Sequence, residues 1–187
     1  MDKRKEILLG AVQDKDEDVR KSAAEALAKL QIRDRLDFLE EKVGSGEMLE
    51  KVRALYALSE LKGEKVVALL SIGVKDAAED VRAAAARGLG LVGDTRALPH
   101  LVDLLKDPSP IVVRSALDAI AIYNEPRVLG PLIQALKNAD AGVVEKAIEA
   151  VGRLGDKRAE EAMIYFAVKG NKHMKALALK ALGLMER

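Results

Sequence analysis

The chain has 187 residues, 49% of them apolar but only 3% aromatic, so its core must be built from Ala, Leu, Val and Ile, the composition of close-packed helices rather than strands. Thirty-one basic against 30 acidic side chains leave a formal charge of +1, which excludes bulk attraction to nucleic acid or anionic lipid. Cysteine is absent, which excludes disulfides, thiolate metal sites and Cys nucleophiles. The opening MDKRKEILLGAVQDKDED loses its apolar run to charge after a few positions. Neither a leader nor a membrane span is expected, and the protein is expected to be soluble and cytoplasmic. Asn and Gln occur three times each while a third of the residues are charged, a balance of proteins from hot environments that supports a thermophile hypothesis.

Residues 81–94, VRAAAARGLGLVGD, are the clearest copy of a recurring pattern. Its relatives start helices at Val19, Glu50, Val81, Val112, Val143 and Met174, each 31 residues after the last. The period predicts one repeat domain over 1–187, with units at about 1–31, 32–62, 63–93, 94–124, 125–155 and 156–187. Each unit reads as a shorter helix A and a longer helix B. In chain order the A helices are expected at about 3–12, 34–43, 64–74, 95–106, 126–137 and 157–169. The B helices are expected at about 18–30, 47–61, 79–92, 110–123, 141–154 and 172–185.

The turns between units carry their own chemistry. In Gly93-Asp94 and Gly155-Asp156 the Gly takes positive φ to close helix B and the Asp caps the next helix A. Asn124-Glu125-Pro126 substitutes Asn for the Gly, Lys62-Gly63-Glu64 is a shifted copy, and Gln31-Ile32-Arg33-Asp34 is the most degenerate. The tenth B position is always small (Ala28, Ser59, Gly90, Ala121, Gly152, Gly183), which predicts close approach of neighbouring backbones.

The chain resembles the HEAT repeats, in particular the short subtype known as PBS lyase HEAT-like. Asp14, Asp16, Asp18-Val19-Arg20, then Asp76, Asp80-Val81-Arg82, and Asp107-Pro108 with Pro110 before Val112, match its loop and helix start. The resemblance implies an all-α, right-handed solenoid of six helical hairpins, about twelve helices, with the B helices lining a concave groove. It also implies an Asp/Arg ladder along the inner edge. The basic residue is Arg20, Lys51, Arg82 and Lys175 but Val113 and Val144, so the ladder is expected to lapse in units four and five.

Catalytic, cofactor and metal sites are not expected. Asp14, Asp16, Asp18 and Glu25 stand at the first, third, fifth and twelfth positions of a calcium loop, but the sixth needs Gly and holds Val19, so helix capping is expected instead. His100 and His173 are too few for a three-His metal site; His100 is expected to pack and His173 to be solvated. On the HEAT pattern the groove carries nine acids and nine bases, which disfavours nucleic acid. Its centre is less polar than its ends: Met48, Leu49, Ala83, Ala84, Pro110 and Ile111 fall there besides the anchors named next.

The function expected is therefore a non-enzymatic scaffold or adaptor binding another protein or a peptide segment in the groove, through Val52, Arg53, Tyr56, Arg87, Leu91, Arg114, Asp118 and Ile122. The alternative is an accessory tetrapyrrole (bilin) lyase or chaperone-like protein using Tyr56, Arg87 and Asp118, and a nucleic-acid-binding HEAT-like protein is the further alternative. In the last helix Met174, Leu177, Ala181 and Leu184 form an apolar stripe, the candidate for homodimer formation.

Overall fold

The computed structural model describes residues 2–185. Among them are eleven α-helices and no strand: α1 (Lys3–Ala11), α2 (Glu17–Ser45), α3 (Met48–Ser59), α4 (Glu64–Gly73), α5 (Glu79–Val92), α6 (Leu98–Leu104), α7 (Pro110–Tyr123), α8 (Leu129–Ala135), α9 (Ala141–Leu154), α10 (Glu160–Lys169) and α11 (Lys172–Leu182). No described helix is long and apolar enough to cross a membrane. The B helices α3, α5, α7, α9 and α11 stack side by side, and α4, α6, α8 and α10 each back the B helix that follows. This is an α-solenoid.

Its turns follow from the residues that can leave the helical basin. Gly93 (φ 69°), Asn124 (φ 48°) and Gly155 (φ 64°) close α5, α7 and α9 in the left-handed region. Asp94 and Asp156 then accept from the N–H groups of Arg96 and Arg158, starting 3-10 turns that run into α6 and α10. The fork of Arg96 on Asp94, and of Arg158 on Asp156, holds each carboxyl at about 2.

The turn expected at residues 31–34 does not form. Instead α2 continues for 29 residues, about 43 Å at ~1.5 Å per residue, joining the B helix of the first unit to the A helix of the second. Gln31 occupies the register position of Gly93, Asn124 and Gly155, and no Gly, Asn or Pro stands between Leu30 and Leu36 to stop a run of good helix formers. The first hairpin therefore projects from the stack. One apolar core is continuous from Leu39 to Ala181, while the buried Ala23 and Leu30 lie outside it and α1 buries no residue.

Close contact between B helices is purchased by missing side chains. A β-carbon on Gly90 would lie 2.8 Å from that of Ala119, and one on Gly152 would lie 2.8 Å from that of Ala181. Ala83 and Ala84, expected in the groove, are buried in the α5 contacts instead.

Ion pairs tie the same joints at the loop edge. Lys51 Nζ lies 2.7 Å from Asp76 Oδ2. Arg82 holds Asp107 through two N–H groups (2.7 and 3.0 Å) and donates a third to the carbonyls of Asp76 and Ala77, both at 2.9 Å. The lapse expected in unit four is filled by the adjacent residue: Arg114 Nη1 lies 3.0 Å from Asp140 Oδ1. Arg20 keeps the carbonyl half of the motif, donating to Asp14 O and Lys15 O at 2.9 Å, but the position that should supply its acid is Ser45.

Three substitutions test these joints. Gly90→Val should wedge α5 from α7 and cost about 1–3 kcal/mol in chemical denaturation, whereas Gly130→Ala, whose methyl meets open space, should leave stability level or raise it by up to about 1 kcal/mol. Arg82→Ala strands the nearly buried Asp107 and should cost about 3 kcal/mol at neutral pH. Burial pushes the Asp107 carboxyl up, but Arg82 and the Ser109 amide outweigh it and hold it below its usual range. The wild-type pairing thus stabilises above the unfolded value near 3.9 and is lost as pH falls towards the folded one. Without Arg82 the carboxyl moves up, so the difference between the two proteins should shrink as pH falls through about 4; a constant difference would contradict the pairing.

Candidate partner-binding face

One face of each B helix packs in the stack and the other points to solvent, where side chains recur in rows spaced by the period. The first row runs Tyr56, Arg87, Asp118, Glu149, and the second, one helical turn on, runs Glu60, Leu91, Ile122, Arg153. Tyr56 is 42% exposed, Leu91 60% and Ile122 55%, so a polar row borders an apolar one. Ile122 leans over the gap at Gly90, where its Cδ1 would stand 3.4 Å from an added β-carbon.

The polar row is already knitted across repeats. Arg87 donates from Nε to the Tyr56 hydroxyl at 3.2 Å and from Nη1 to Ser115 Oγ at 3.1 Å. Asp118 pairs with Lys146 at 3.1 Å, and the same ammonium reaches Glu149 at 3.1 Å. Asp118 and Glu149 together raise the Lys146 ammonium above its usual range. Of the other expected contacts, Arg53 is exposed, Val52 is half-buried and Arg114 is held by Asp140. Ser115 and Lys146, absent from the expected contacts, join this row from 28 residues beyond the group each binds, a spacing the period makes readable.

Tyr123, at the end of α7, is turned away. Its hydroxyl donates to Leu89 O at 2.5 Å, and burial, with Asp94 nearby, pushes it up to about 12. The phenol available to a partner from the middle of the stack is that of Tyr56.

Asp16 Oδ1 accepts from the N–H groups of Asp18 and Val19, which caps α2, and Asp14 Oδ1 accepts from that of Asp16, which shapes the loop before it. His100 is half-buried, and His173 is exposed, 3.8 Å from Glu145. The C-terminal stripe faces inward: Ala181 is buried on Gly152, and Met174 and Leu177 pack against the core, because this is the face by which α11 stacks on α9. Only Leu184 of that stripe is exposed.

Models of the HEAT repeats match residues 38–122 and 66–148, and a single HEAT repeat matches residues 6–32. The chain belongs to the HEAT-repeat family. None of the curated proteins matches the sequence. Among solved structures, this HEAT chain is similar to the CpcE–CpcF complex of phycocyanin lyase from a Nostoc species (TM-score 0.71, 19% identity, 80% of this chain and 64% of that one). It is similar to human deoxyhypusine hydroxylase (TM-score 0.64, 22% identity, 87% and 66%). A designed armadillo repeat protein in complex with a (KR)4 peptide is similar over its whole length (TM-score 0.63, 18% identity, 98% and 100%). The chain spans less than two thirds of the lyase and hydroxylase chains, and at these identities the likeness is one of fold.

An absorbance titration should show one of the three tyrosines ionising near pH 12, a component that Tyr123→Phe removes. Loss of that component, with Tyr123→Phe leaving the titration unchanged above about pH 11, would place the Tyr123 hydroxyl in water.

Proposed function

We propose that this HEAT chain is a non-enzymatic scaffold that binds another protein, as an extended or helical segment, across the B-helix face from α3 to α7. The observation that carries the reading is the apolar row Leu91–Ile122 lying beside the Tyr56–Arg87 pair, all exposed on rigid helices. A surface of this kind combines an apolar strip, an aromatic and an Arg anchor with a charged rim, and its fixed side chains spend little ordering entropy on binding. The fold is shared with a designed repeat protein that holds a peptide, which supports the mode without naming the segment. The two rows carry three acids (Asp118, Glu149, Glu60) against two bases (Arg87, Arg153), a balance that disfavours phosphate backbones as partners.

The second reading, an accessory bilin lyase or chaperone, is favoured by the likeness to the phycocyanin lyase complex. Against it, Tyr56, Arg87 and Asp118 do not converge: Arg87 bonds to Tyr56, and Asp118 turns to Lys146. An absorbance change on adding a bilin would favour this reading.

Tyr56→Glu, Leu91→Glu and Ile122→Glu combined, after circular dichroism has shown unchanged helicity, should lose a protein that the wild type retains in a pull-down, with affinity lowered at least about tenfold. Equal retention by the two would show the row to be plain surface.

A further inference from the structure

The projecting hairpin of α1 and the first half of α2 carries a stacking surface that no other element among the described residues covers. Val19 is 42% exposed, whereas Val81, Val112 and Val143, its counterparts in the third, fourth and fifth repeats, are 0% exposed. Ala24 is exposed where Leu55, Ala86, Leu117 and Ile148 are wholly buried. The second unit has the complementary gap, a cavity of about 300 Å³ walled by α3 and the second half of α2, with Phe38 exposed at its rim.

The two bare surfaces match in register. Three periods upstream of the cross-repeat pair Arg114–Asp140 stand Lys21 and Glu47, and three upstream of Asp118–Lys146 stand Glu25 and Arg53. Both keep the signs of the bridges they mirror. Two periods upstream of the close contact between Gly90 and Ala119 stand Ala28 and Ala57, both small. Lys21 and Glu25 on the hairpin, and Glu47 and Arg53 on the second unit, are all exposed. Only a reversal of the chain near residues 31–34 would let the hairpin reach its own second unit, and α2 runs straight through that segment.

We propose that a second copy of this chain supplies the missing neighbour: each copy lays its N-terminal hairpin on the bare face of the other's second unit. Every copy offers one hairpin and one gap, so exchange between two copies closes with two-fold symmetry and leaves neither surface open. Lys21 then pairs with the other copy's Glu47, and Glu25 with the other copy's Arg53. The proposal goes beyond the partner reading, and its variants leave Tyr56, Leu91 and Ile122 untouched.

Light scattering at high micromolar concentration should give twice the chain mass for the wild type. Lys21→Glu, which sets two acids face to face, should raise the dissociation constant at least about tenfold, and Glu47→Lys added to it should restore the dimer. Circular dichroism checks that these exposed changes leave helicity intact. Gln31→Gly with Ile32→Asp installs the Gly-Asp turn in register and should yield a monomer, the hairpin folding onto its own second unit. A wild-type monomer at that concentration, a dimer indifferent to Lys21→Glu, or no rescue by Glu47→Lys would overturn the proposal.

Discussion

A pair of short amphipathic helices can bury only one side of its apolar surface against itself, and in this chain the rest is buried by a neighbour of the same 31-residue period. Every other feature of the stack serves that contact. Small residues at the tenth B position let backbones approach, left-handed Gly and Asn return the chain in register, and ion pairs such as Arg82–Asp107 close the loop edge. Stability is then a sum over joints, and the two ends of the array differ from its middle. Val19, Ala24 and Leu179 show the difference directly: they are exposed at positions whose counterparts are buried wherever two neighbours are present.

The exposed face is built on the same joints and inherits their rigidity. Arg87 spans three helices by bonding to Tyr56 and Ser115, and Lys146 joins Asp118 to Glu149. These contacts fix side chains that would otherwise lose rotamer freedom on meeting a partner. The polar groups of the row are thus already engaged, Arg87 by two hydroxyls and Asp118 and Glu149 by one ammonium.

Much of this was legible in advance because the period makes each unit a check on the others. Helices α5, α7 and α9 begin and end where capping and turn residues placed them, and the closeness at Gly90 and Gly152 was readable from residue size alone. The failures have specific causes. The period alone puts a turn at residues 31–34, but a turn needs a residue that stops the helix, and none is there. The ladder was followed at one register position, so the substitution of Arg114 for the lost Val113 position was missed. Helix α11 is apolar around most of its circumference, so periodicity could not say which side faces α9; Gly152, opposite Ala181, was the signal that could have decided it. Ala83 and Ala84 fall in the same class, small enough for either face.

The contact between Gly90 and Ala119 has a mechanical side. Where two backbones come this close, with only the Ala119 methyl between them, the joint has a fulcrum, and flexing of the array turns one repeat about that point. Positions near a fulcrum are displaced least. Ile122 overhangs Gly90 itself and Leu91 is the next residue along α5, so their separation is nearly independent of how far the superhelix is coiled. A ligand seated on that row would feel little of the protein's elastic motion, while one reaching out to Glu60 or Arg153 would be stretched by it.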